Sequence, residues 1–162
     1  MTLPEQLADS AKPAPPPAVV LDTNVVLDWL LFRDPTCNLL AERITAGRLR
    51  WLATPAMRNE LAHVLDRCTL AAWSPDIDAL LACWDRWAEA VPDAQPADTP
   101  RCRDPDDQKF IDTALAAGAR WLLSRDKALL QLAGAARRAS LVIATPRAWS
   151  AAAAATAETP AR

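Results

Sequence analysis

Four short apolar runs, at residues 18–21, 49–53, 121–124 and 141–144, are separated by segments whose apolar residues recur with the period of a helix. Runs this short and this apolar suit strands buried on both faces. Strands that alternate with helices imply a mostly parallel sheet flanked by helices on both sides, so the expected fold class is α/β. Helices are expected over 23–32 and over 36–46, the second ended by Gly47. A third opens at Pro55 and carries Met57, Leu61, Val64, Leu65 and Cys68 on one stripe. Ile77, Leu80, Leu81, Trp84, Trp87 and Ala88 form another helical stripe. Residues 91–103, with Pro92, Pro96 and Pro100, read as a loop or a poor strand. Pro105 opens a helix to about residue 117, closed by Gly118, and a short helix follows over 127–132.

The 162 residues, 51% of them apolar, suffice for one domain with a sizeable core. Three zones are expected: a flexible Pro-rich arm over 1–17, a folded body over 18–147 and an Ala-rich tail over 148–162 with little to bury. A net charge of −2 does not mark a nucleic-acid binder, so a phosphate partner must be met by a local patch or through metal ions. The longest apolar stretch is interrupted by Asp22, Asn24 and Asp28 and is too short to span a bilayer. No secretory signal is evident at the start, and the four cysteines lack metal-ligand spacing, so a cytoplasmic protein with reduced thiols is expected. With His63 as the only histidine, a zinc site is not expected. His63 points away from its helix's apolar stripe and reads as a surface residue.

The acids carry the functional signal. Asp22 and Asp126 each follow an apolar run, at the strand ends where ligands gather in open α/β sheets. Each is also a natural helix N-cap. Asp107 stands in register with Phe110, Ile111, Ala114 and Leu115, which puts it on an inward stripe. A carboxylate there must be paired, metal-bound or protonated. Asp106 and Asp112 read as solvated, and Asp104 as an N-cap that can lean toward the same place. Glu60 lies at the edge of the apolar stripe of its helix, where a surface ion pair is the equal alternative. Four carboxylates, Asp22, Glu60, Asp107 and Asp126, share a small site only if cations neutralise them. Oxygen-only ligands select Mg²⁺ or Mn²⁺, and the chemistry that needs this arrangement is metal-assisted phosphodiester hydrolysis.

The segments Val19-Val20-Leu21-Asp22-Thr23-Asn24, Asn59-Glu60-Leu61, Cys102-Arg103-Asp104-Pro105-Asp106-Asp107-Gln108-Lys109-Phe110 and Leu123-Ser124-Arg125-Asp126, in this order, resemble the PIN domain. The resemblance is nearest to the branch of toxins of toxin–antitoxin systems related to VapC-type ribonucleases. It implies a Rossmann-like sheet, Mg²⁺ or Mn²⁺ held by acids, and cleavage of single-stranded RNA. It further implies a small antitoxin partner and a homodimer. By position, Asp22, Glu60, Asp107 and Asp126 become the catalytic and metal-binding acids, with one ion or two. Asp104 matches a position shared by this branch. Asn24 orients Asp22 or a water, and Ser124 stands where many relatives carry Thr. The long N-terminal arm and the Ala-rich tail depart from the family pattern.

Arg101, Arg103, Lys109, Arg125 and Lys127 flank the acids and are candidates for the RNA backbone, against the simpler reading that they are solvated charges. Trp29, Trp84, Trp87 and Trp121 suit core or dimer packing, while Trp51, Trp73 and Trp149 are open. Two other readings compete with a toxin: an RNA- or DNA-processing nuclease, and an inert PIN module that only binds RNA or a protein. A receiver-type phosphotransfer protein shares the sheet and the acids but lacks a recognisable strand-end lysine.

Overall fold

The computed structural model describes residues 13–157, without the side chains of Cys68 and Thr69. The first twelve residues of the expected arm and the last five of the expected tail lie outside the described residues. Five strands form one sheet: β1 Ala18–Leu21, β2 Arg50–Ala53, β3 Ala88–Ala90, β4 Trp121–Leu123 and β5 Val142–Ala144. Their spatial order is β3-β2-β1-β4-β5, and every pairing is parallel. Eight α-helices accompany the sheet among the described residues: α1 Thr23–Leu30, α2 Asn38–Thr45, α3 Pro55–Leu65, α4 Ile77–Trp87, α5 Gln108–Ala116, α6 Lys127–Leu130, α7 Ala133–Arg138 and α8 Pro146–Ala157. The expected α/β class is the observed one.

β1 is the central strand, and its sequence explains why. Val19 and Val20 point to opposite faces of the sheet, yet both are wholly buried. Both faces are therefore covered, which a strand without a polar residue demands. The chain leaves β1 for β2 on one side, while β4 joins β1 on the other. The resulting reversal between β1 and β4 is the place where open α/β sheets leave a crevice at their carboxyl ends. Gly47 and Gly118 close α2 and α5 with positive φ angles of 73° and 67°, conformations in which a side chain is strained.

Two expectations about the elements need correction. The helical stripe ending at Ala88 stops one residue sooner, and Ala88–Ala90 forms edge strand β3 against β2. Three residues carry too little pattern to separate a last helical turn from a short strand. Arg50 and Glu89 then pair across that edge, with Arg50 Nη2 2.7 Å from Glu89 Oε1. The stripe from Pro55 also ends early, at Leu65, and Cys68 falls in the following 3₁₀ turn, Cys68–Trp73.

The Ala-rich segment was expected to bury little, yet α8 packs on the body through Trp149, which is 4% exposed. The Trp149 ring meets Trp121 edge-on at 5.9 Å, and Ser150 Oγ donates to the Thr36 carbonyl at 3.1 Å. Trp149→Ala should destabilise the protein by about 3 kcal/mol in urea unfolding, the usual scale for deleting a buried aromatic. A loss below about 1 kcal/mol would show that α8 is not part of the cooperative unit. Trp51 is likewise buried, between Trp29 at 5.4 Å and Trp84 at 4.7 Å, while Trp73 is exposed beside Phe32. His63 is exposed, as its place on α3 implied.

Candidate metal centre

Parallel pairing of Leu21 with Leu123 sets Asp22 and Ser124 side by side at the carboxyl ends of β1 and β4. The Asp22 amide donates to the Leu123 carbonyl at 3.0 Å, and the Ser124 hydroxyl donates to Asp22 Oδ2 at 2.6 Å. Asn24 Nδ2 donates to the same oxygen at 3.3 Å. The chain turns after Ser124, and Asp126 caps α6 by accepting from the Ala128 amide at 2.8 Å. Its own amide donates to Ser124 Oγ at 2.9 Å. One hydroxyl thus serves both strand-end acids. Capping, the simpler reading of Asp126, and membership of a site coexist in this residue.

Asp107 arrives from elsewhere in the chain. Asp104 caps the 3₁₀ turn Pro105–Asp107 by accepting from the Asp106 amide at 3.0 Å, and that turn leads into α5, which packs over β1 and β4. Asp107 is thereby driven onto the sheet end and is 9% exposed. Carboxylate oxygens of Asp22, Asp107 and Asp126 all lie within 4.8 Å of one another. Asp107 Oδ2 is buried and accepts no hydrogen bond. Burial, the charge of Asp22 and the adjacent carboxyl of Asp126 push Asp107 up to about 7. Burial also raises Asp22, partly offset by the Ser124 hydroxyl and the Thr23 amide.

These features fit a divalent cation. The donors are all carboxylate oxygen, the choice of hard ions. A buried carboxylate oxygen without a donor also lacks the partner such a group ordinarily has. Glu60, the fourth expected acid, stands beside this trio. Its Oε2 accepts from Thr23 Oγ1 at 3.1 Å and lies 3.0 Å from Lys109 Nζ. The ion pair that was its equal alternative is present, with Lys109 as the partner. Glu60 nevertheless remains close enough to raise Asp22 by its charge. Asp104 is exposed and occupied with its cap.

The chain matches the PIN domain family over residues 18–128. It belongs to that family. Among curated proteins, none matches the chain. PIN domains are generally nucleases and typically use divalent metals, and this PIN domain places its acid trio at the crevice where its sheet reverses. No helix among the described residues is long and apolar enough to cross a membrane.

The basic candidates separate into distinct surroundings. Arg101 and Lys109 line an open cavity of about 820 Å³ between the 93–102 loop and α5, together with Cys102 and Asp112. Cys102 feels the charges of Asp107, Asp126 and Asp104, so this cavity adjoins the trio. Arg103 and Lys127 are exposed. Arg125 instead grips Asp28 of α1, with Nη2 donating to Oδ1 at 2.9 Å and Nε 2.6 Å from Oδ2.

Two acids were misjudged or overlooked from sequence. Asp112, expected to be solvated, is 6% exposed: its Oδ1 accepts from Thr99 Oγ1 at 3.1 Å and from Gln108 Nε2 at 3.0 Å. Gln108 also accepts from the Cys102 amide at 2.8 Å and donates to the Pro100 carbonyl at 3.0 Å, so the pair fastens the Pro-rich loop to α5. Asp28, noted only as an interruption of an apolar run, is 4% exposed. Its place four residues after Asn24, on a helix whose neighbouring positions are apolar, was the available signal.

Proposed function

We propose that this PIN domain is a divalent-cation-dependent endoribonuclease that hydrolyses phosphodiester bonds of single-stranded RNA. We further propose that it serves in the cytoplasm as the toxin of a toxin–antitoxin pair, held in check by a small antitoxin protein and acting as a homodimer. The carrying observation is the Asp22–Asp107–Asp126 trio with its unsatisfied buried oxygen. Three convergent acids of this kind are poorly tolerated without a cation.

Asp22, Asp107 and Asp126 would hold Mg²⁺ or Mn²⁺, with Asp104 a more distant contributor. A bound cation supplies Lewis acidity toward water and toward the phosphoryl oxygens on which charge builds. Ser124 and Asn24 hold Asp22 in one orientation by donating to Oδ2. Glu60, paired with Lys109, stands beside the trio, where it would hold an approaching water or a second ion. Arg101 and Lys109 on the cavity wall, with Arg103 and Lys127 outside it, are suited to backbone phosphates. The chain's own histidine takes no part, because His63 is exposed on α3 and bonded to the Asn59 carbonyl.

The test is incubation of end-labelled single-stranded RNA with the full chain in Mn²⁺, in Mg²⁺ and in EDTA. Internal cleavage in either metal and none in EDTA is the expected result. Cleavage that persists in EDTA would overturn the metal dependence, and RNA left intact in every arm would overturn the nuclease reading in favour of an inert binding module. Induced expression should arrest bacterial growth; unimpaired growth with active enzyme in the cells would leave a processing nuclease as the better description.

A further inference from the structure

We propose that the Asp28–Arg125 ion pair is a tether that positions the Asp126 loop over Asp22, so that the third carboxylate stays within reach of the ion. This rests on reading the acid trio as a cation site. Arg125 sits between Ser124 and Asp126, and its side chain alone turns away from Asp22. Ser124 reaches Asp22, Asp126 joins the trio, and Arg125 crosses to α1. The loop is thereby fastened to the β1–α1 segment at Asp22 through Ser124 Oγ, at Asn24 through the Arg125 amide at 3.4 Å, and at Asp28 through the guanidinium. The last combines one hydrogen bond, from Nη2 to Oδ1, with a close charge contact between Nε and Oδ2.

The pair is lopsided in a way that suits a tether. The Asp28 side chain is 6% exposed and that of Arg125 is 52% exposed, so a surface cation covers a sunken anion. Val25 and Val26 beside it are wholly buried, and an apolar residue at position 28 would avoid the cost of burying a charge. Of the basic candidates, Lys109 pairs with the half-buried Glu60, whereas Arg125 pairs with the buried Asp28.

Coulomb attraction and positioning make opposite forecasts for one variant. Arg125→Gln removes a positive charge near a cation site, which by charge alone tightens cation binding. A positioning role requires the reverse. Mn²⁺ affinity of the full chain, measured by titration calorimetry with RNA absent, should fall about tenfold in Arg125→Gln. Arg125→Lys, which keeps the charge without the fork, should fall less. Asp28→Leu/Arg125→Met removes both charges while retaining bulk, so it should fold and show a comparable loss, with circular dichroism and urea midpoint checking the fold. Folded variants that bind Mn²⁺ as tightly as the parent protein, or more tightly, would overturn the tether and leave the cation site standing. A parent protein that binds no Mn²⁺ would overturn the cation site itself, and the tether with it.

Discussion

Asp22→Asn should reduce Mn²⁺-dependent RNA cleavage by about a thousandfold, equivalent to about 4 kcal/mol of transition-state stabilisation. The amide can still accept from Ser124 and Asn24 through its carbonyl oxygen, so the contacts that hold residue 22 survive. What disappears is the anionic ligand at the centre of the trio, while the backbone bond from residue 22 to Leu123 is untouched. Urea unfolding of metal-free protein should therefore change little, and the loss should appear in kcat with Mn²⁺ affinity reduced. A variant that retains more than a tenth of the parent rate would remove Asp22 from the chemistry.

Asp107→Asn should likewise cut activity, but it should raise the stability of the metal-free protein. In metal-free protein Asp107 is pushed up to about 7 from an ordinary carboxylate value near 3.8. A raised acid favours the folded state when protonated, and that contribution fades as pH rises from about 4 through 7. The metal-free parent protein should accordingly lose stability over that window through this group. Asn is neutral throughout and escapes the penalty, so at pH 8 in EDTA the variant should be more stable by about 1–2 kcal/mol. Mn²⁺ should restore the parent protein but not the variant, because only the former keeps the third ligand. The readout is the urea midpoint against pH, with and without metal. An Asn variant less stable than the parent at pH 8 would mean that Asp107 is held by contacts worth more than its charge costs.

The different stability forecasts for these two neighbouring acids follow from what surrounds them. Asp22 has two donors, Ser124 and Asn24, whereas Asp107 Oδ2 has none. That distinction was not readable from the sequence, although the inward register of Asp107 was. Register is a local property: offsets to Phe110, Ile111 and Ala114 fix the face of a helix wherever it packs. The same logic placed β1 and β4, whose unbroken apolar runs admit only a strand buried on both faces. Asp112 was misjudged because its partners depend on a loop. Thr99 precedes it by thirteen residues across prolines whose path no periodicity reports. Arg125 shows the limit again, since its partner Asp28 lies 97 residues earlier and only the β1–β4 pairing brings them together. Local pattern thus supplied the acids, while the donors, ion pairs and tethers around them came from contacts across the sheet.

The position of β1 between β2 and β4 also governs when the protein can act. Asp22 and Ser124, 102 residues apart, meet only after β4 has docked. Such distant pairing slows folding, because loop closure precedes the contacts that reward it. During synthesis a nascent chain holding β1 and β2 carries one strand-end acid and no trio. A nuclease built in this order has no complete acid trio until Asp126 has emerged and β4 has docked against β1.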